Sequence, residues 1–204
     1  MSPGFTLIKS DLTINAKAPV ENAKLPGDLA MWFFILAELT VFALFFIGFA
    51  ISEQQNLVMF SEGKAQLHQT SGLINTIALI TSSFFVALAL NVINKGLSKQ
   101  ASLFLVIAKL VAFIYVWVKI SEYILLFEQG IDIETNTFFT LYFLITAFHL
   151  MHVLLGMVIL AFINYRAIKG QYTASNLSGF ESGASYWHMV DLLWIILFPL
   201  IYVI

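Results

Sequence analysis

The sequence predicts an all-α fold: a five-helix transmembrane bundle with its amino terminus in the cytoplasm and its carboxyl terminus in the periplasm. Three observations carry that expectation. First, 60% of the 204 residues are hydrophobic and only 11% are charged, with a mean hydropathy of +0.89. A soluble domain is about half apolar and about a quarter charged. Second, five apolar stretches are each long enough to cross a hydrocarbon layer of ~30 Å, which takes ~20 helical residues. Third, the basic residues are unevenly shared between the two sides. The amino-terminal arm, the Lys95–Lys99 turn and the Arg166–Lys169 loop hold seven Lys and Arg, while the opposite side holds only Lys64. The positive-inside tendency places the first set in the cytoplasm.

Residues 1–27 are mixed polar and carry Lys9, Lys17 and Lys24. They read as a cytoplasmic arm and not as a signal peptide, because no continuous apolar core occurs there. Pro26-Gly27-Asp28 reads as a turn into a helix, with Asp28 as its N-cap. The transmembrane domain then occupies residues 28–204, with helices at about 29–52, 71–94, 101–127, 137–164 and 185–204. Lipid-facing and protein-facing positions are both apolar, so small and polar residues mark the packed faces. Asn75, Thr76, Thr81, Ser82 and Ser83 mark one on the second segment. Gly48, Gly72 and Gly156 are expected at close approaches. Trp32, Tyr186 and Trp187 suit the inner membrane interface.

The chemistry must come from ionisable groups at membrane depth, where such residues face protein or water. The chain has no cysteine, so disulfide, thiol and iron–sulfur chemistry are excluded. No basic run points to nucleic acid, and no Walker loop, dinucleotide fingerprint, nucleophile elbow or HExxH helix is present. Glu38 lies near the middle of the first segment. It reads either as a structural carboxyl hydrogen-bonded between helices or as a proton-handling group. His149 and His152 share one face of the fourth segment, as do His188 and Asp191 on the fifth. Polar packing is one reading of these four. A tetrahedral metal site is another, if the two segments touch. Lys119 and Glu122, followed by Tyr123, read as a local ion pair with a snorkelling lysine. Glu181 reads as an interfacial cap just before the last segment. Glu38, His149, His152, Glu181, His188 and Asp191 therefore form the expected inward polar set, with Lys119, Glu122, Tyr123 and Trp187 secondary to it. The preferred reading gives none of them a catalytic, cofactor-binding or metal-binding role.

Five stretches, in order on the five segments, resemble the subunit III family of haem-copper oxidases. MWFFILAELTVFALFF, from Met31 to Phe46, is similar to the family's helix with an embedded Glu. LINTIALITSS, from Leu73 to Ser83, and KISEY, from Lys119 to Tyr123, follow. FHLMHVLLG, from Phe148 to Gly156, resembles its pattern of two His and a Gly. YWHMVDLLW, from Tyr186 to Trp194, resembles its final-helix run. Within the family the opening LPGDLAMWFFILAE and the closing WHMVDLLWIILFPLIYVI look most like the NorE-type branch, which is associated with bacterial nitric oxide reductase and denitrification. Two amino-terminal helices of the seven-helix members have no counterpart here.

The resemblance implies an accessory subunit of a respiratory electron-transport complex in the bacterial inner membrane. It would stabilise or activate a haem-copper nitric oxide reductase or terminal oxidase, holding phospholipid and supporting proton uptake, with haem and metal only in the partner subunit. By position, Glu38 matches the family's buried carboxylate, and the other five residues of the set match its inward polar positions. The alternatives are an ordinary cytochrome c or quinol oxidase subunit III, a stand-alone proton or small-solute transporter, and a metalloenzyme built on His149, His152, His188 and Asp191.

Overall fold

A computed structural model describes residues 27–172 and 176–203. Among the described residues the regular elements are helices: α1 (Leu29–Gln55), α2 (Leu57–Gln66), α3 (Gln69–Asn94), α4 (Ser98–Glu128), α5 (Thr137–Ile168) and α6 (Ser178–Tyr202). Five of them, all but α2, are long and apolar enough to cross a membrane. All but Gly27 of the arm at residues 1–27 lies outside the described residues, as does Ile204.

Local chemistry sets the helix ends. The Asp28 side chain accepts from the Ala30 N–H (3.3 Å), as its N-cap reading requires. Asn136 caps α5 in the same way, accepting from the Phe139 N–H at 3.0 Å. Gly96, at φ +76°, ends α3. Its own N–H bonds Ile93 C=O and that of Leu97 bonds Val92 C=O, the paired closure of a Schellman ending. The tight turn this makes lays α4 antiparallel beside α3.

α3, α4, α5 and α6 form a four-helix core in which α3 and α5 each touch both α4 and α6. α1 packs outside this core, against α5 and α6. Small residues permit the contacts. A Cβ at Gly156 would meet Trp187 Cε3 at 2.7 Å, and one at Gly72 would meet Phe198 Cε2 at 2.7 Å. Gly48 makes no such close approach, because a Cβ added there would meet nothing within 4 Å.

α2 was not anticipated by the apolar pattern. It has ten residues and an almost even mix of polar and apolar side chains, too short and too polar to signal a span. Its Phe60 and Gly63 turn inward, and Phe60 packs edge-on against Phe49 and Phe138 at 5.1 and 5.4 Å between centroids. Lys64 of α2 pairs with Glu53 of α1. Together these contacts fold α2 over one end of the bundle.

α6 starts seven residues earlier than the expected 185. Ser178, Gly179, Glu181, Ser182 and Gly183 look like a loop by composition. The structure makes them helix because α1 begins beside them: Gly27 N–H donates to Glu181 Oε2 (2.8 Å) and Asp28 N–H to Ser182 Oγ (2.9 Å). Glu181 is thus in the first turn of α6 and not ahead of it. Tyr186 and Trp187 are buried between helices, where Gly156 opens room for them on α5.

Candidate functional site

The six residues of the expected inward set do not meet at one point. They divide among separate places along the bundle, and a second polar centre lies near the α2 end.

Glu38 of α1 and His152 of α5 form the first centre. His152 Nε2 lies 3.0 Å from Glu38 Oε2, and Nδ1 lies 2.8 Å from the Phe148 carbonyl oxygen. That carbonyl can only accept, so Nδ1 carries a hydrogen. One further proton is then shared between Nε2 and Oε2. Whichever atom holds it, imidazolium with carboxylate or imidazole with carboxylic acid, the pair is neutral overall. The tertiary arrangement explains the spacing: Phe148 and His152 are one turn apart on α5, and α1 brings its acid to the same face. The centre is not sealed, because 18% of the Glu38 side chain stays exposed.

His188 of α6 lies one helix over. Its Nδ1 is 2.6 Å from Ser83 Oγ of α3. Asp191, one turn on, keeps Oδ1 buried without a partner. An apolar groove of about 300 Å³ runs between α1 and α6, lined by Trp32, Leu39, Met189 and Leu192, with His188 on its wall. His149 is fully buried, and neither ring nitrogen has a hydrogen-bond partner. It is boxed by Trp194 at 5.3 Å and Tyr115 at 5.8 Å between centroids. Glu181 is remote from all of these, at the start of α1 and α6. In that region Tyr172, outside the spans, is pushed above the ordinary tyrosine range by burial, and the Arg166 guanidinium 5.2 Å from its ring opposes the shift.

The second centre gathers around Lys119, which does not snorkel. It is wholly buried and donates to Glu122 Oε2 (3.1 Å), Tyr142 Oη (3.0 Å) and Tyr202 Oη (2.8 Å). The Tyr202 hydroxyl in turn donates to both Glu122 oxygens at 2.9 Å. Four rings surround the ammonium, those of Tyr142, Tyr123, Tyr202 and Trp194, at 4.6 to 5.7 Å from their centroids. Tyr123 is anchored by its hydroxyl, 2.7 Å from Thr146 Oγ1. Sequence reasoning placed Lys119 and Glu122 together through their i,i+3 spacing, but missed Tyr142 and Tyr202. These lie 23 and 83 residues away, and no local pattern announces them.

Among the described residues, no group of three or more His, Asp or Glu is placed to hold a metal ion. His152 is engaged by Glu38 and His188 by Ser83, so the tetrahedral set does not assemble.

The fold and these centres define a class: a multi-pass helical membrane protein with polar groups tied between helices. The profile described as cytochrome c oxidase subunit III matches residues 22–204. A cytochrome c oxidase subunit 3 of Synechocystis sp. is 30% identical over 185 residues, covering 87% of this chain and 76% of that protein. Those of Prototheca wickerhamii and Marchantia polymorpha are 36% and 34% identical over 129 residues, covering 63% of this chain and 48% of each. The chain spans about half the length of these last two relatives. It belongs to the cytochrome c oxidase subunit III family.

Proposed function

We propose that the chain is a non-catalytic accessory subunit that packs beside a haem-copper catalytic subunit, nitric oxide reductase or terminal oxidase, in a bacterial inner membrane. In this reading it stabilises or activates that partner, binds phospholipid and supports proton uptake, with haem and metal in the partner alone. Membership of the subunit III family is the observation that carries the reading. Two features of the chain support it. Glu38, His152, His188, Lys119 and Glu122 are engaged in helix–helix ties, and the groove between α1 and α6 is apolar, open and of a size for a hydrocarbon chain. The basic residues put the end with Asp28 and the α3–α4 turn in the cytoplasm, so a reporter fused after Ile204 reads periplasmic.

The NorE-type branch is preferred from the opening and closing runs of the sequence. The names of the relatives above favour a second reading, an ordinary oxidase subunit III with an oxygen-reducing partner. A mild-detergent pull-down from native membranes, with an optical spectrum and identification of the captured subunits, separates the two. Haem b with nitric oxide reductase subunits supports the first reading; haem with oxidase subunit I supports the second. No haem and no partner after cross-linking, under denitrifying and aerobic growth alike, overturns both and favours a stand-alone transporter.

A further inference from the structure

Charged groups inside a membrane pair with one another or face protein or water. Glu38 meets His152, Lys119 meets Glu122, and His188 and Asp191 stand beside Ser83. Lys109 of α4 is different. Among the described residues, no acid and no aromatic ring is paired with its ammonium. It is half-buried, at the border between the packed side of α4, with Leu105, Ala108 and Ala112, and the open side, with Val106 and Leu110. It also lies deep. Phe113 is the midpoint of α4, and a ~30 Å layer centred there takes in about ten residues on either side. Lys109 is four residues from that midpoint. Lys95 and Lys99 mark the polar end of the helix, and Lys99 is ten residues away, about 15 Å along the axis. That distance exceeds what a lysine stem covers by snorkelling.

The surroundings of Lys109 are laid out like one half of a helix–helix seam. Val106, Phe113 and Ile120 recur every seven residues, with Lys109 and Trp117 between them, so all five share one side of α4. Phe113 is 55% exposed and Trp117 67%. Tryptophan collects at membrane interfaces, yet Trp117 is as close to the midpoint as Lys109, four residues on the other side. We propose that this face of α4 is where the catalytic subunit packs, and that a transmembrane helix of that subunit sets an Asp or Glu carboxylate against Lys109. The inference rests on the accessory-subunit reading above. A carboxylate is the matching group because it cancels the unpaired charge at a depth that a lipid phosphate does not occupy. Trp117 adds a broad, rigid contact of the kind that anchors interfaces. The face is a separate place from the groove, which is lined by residues of α1 and α6.

Photo-cross-linking in native membranes tests this. Benzoylphenylalanine in place of Phe113 is expected to cross-link to a haem-bearing subunit, at a transmembrane peptide that contains Asp or Glu. The same probe in place of Leu44 of α1, 65% exposed, is expected not to. Lys109→Glu is expected to lower the haem that copurifies with the chain several-fold, and Lys109→Arg to keep it. A lysine in place of the cross-linked acid is expected to restore it in the Lys109→Glu background. Lys109→Met, which puts no new charge in the membrane, is expected to show a smaller loss, so the test stands even if Lys109→Glu does not fold. Haem subunits captured from Leu44 and not from Phe113 overturn the face and leave the accessory reading standing. Undiminished haem in both Lys109→Met and Lys109→Glu overturns the charge pairing. Cross-links from Phe113 confined to lipid, or to a second copy of this chain, overturn the proposed occupant. No haem with the unmodified chain overturns the accessory reading and this inference with it.

Discussion

The Glu38–His152 pair and the Lys119 centre both join an acid to a base inside the bundle, yet they are built on different terms. The Lys119 centre is saturated: an ammonium with three acceptors, a carboxylate held by lysine and tyrosine, and both charged side chains almost wholly buried. It ties the core helices α4, α5 and α6. The Glu38 pair has a single contact across helices, partial exposure, and a partner helix that sits outside the core. Coulomb attraction inside apolar surroundings repays desolvation only when geometry and further hydrogen bonds are complete. The Lys119 centre meets that condition. The Glu38 pair, with a single contact across helices, does not. One centre is therefore a structural commitment, and the other is an adjustable contact at the edge.

The sharpest way to break the comparison is to unpair the saturated centre. Lys119→Met leaves the Glu122 carboxylate buried with only the Tyr202 hydroxyl. Removing one partner of a buried ion pair costs about 3–5 kcal/mol. Reversible unfolding in mixed micelles is expected to show a loss of that order. Lys119→Met combined with Glu122→Leu is expected to recover most of it, because no unpaired charge remains. A double variant as unstable as the single one would mean that the tyrosine bonds, and not the charge, dominate the centre.

Next in size is Glu38→Leu. It strands His152 Nε2 without an acceptor or donor, and leaving a buried polar group unmade costs about 1–3 kcal/mol. The exposure of Glu38 argues for the lower half of that range. The same measurement should show a loss clearly smaller than that of Lys119→Met; an equal loss would erase the distinction between the two centres. Ser83→Ala is smaller again. It deletes the contact with His188 and the hydroxyl beside Asp191, both between α3 and α6, and interhelical bonds in a membrane protein average about 0.6 kcal/mol each. A loss above that of Glu38→Leu would make the Ser83–His188 contact a third centre.

The sequence made the five spans legible because hydrocarbon imposes one demand on all of them, enough apolar residues in a row. That demand says nothing about α2, which lies across the bundle end and reads as linker. Nor does it say where α6 begins, because Glu181 and Ser182 accept from the N–H groups of Gly27 and Asp28, just ahead of α1 and more than 150 residues earlier. In the sites, i,i+3 spacing exposed the Lys119–Glu122 pair. It did not expose burial, so a lysine with three acceptors read as a snorkelling one. His149 and His152 show the same gap: one spacing places both on a face, but one finds Glu38 while the other faces Trp194 and Tyr115 with no partner. Spacing fixes a side chain's direction along its own helix; the identity of what waits there is a property of the neighbouring helix.

The smallest expected effect is the most informative about the adjustable contact. Glu38→Gln keeps shape and polarity while removing the ability to hold or release a proton. With Nδ1 committed to the Phe148 carbonyl, a neutral His152 presents a bare Nε2, to which the Gln amide can donate. An imidazolium presents Nε2–H, from which the Gln carbonyl can accept, but its positive charge is then uncompensated. In the first arrangement the hydrogen bond survives intact, and the loss is expected to stay below about 0.5 kcal/mol, well inside that of Glu38→Leu. A loss matching Glu38→Leu, relieved at a pH where imidazole is neutral, would show that charge and not hydrogen bonding holds α1 to α5. The rim pair would then work on the same terms as the Lys119 centre.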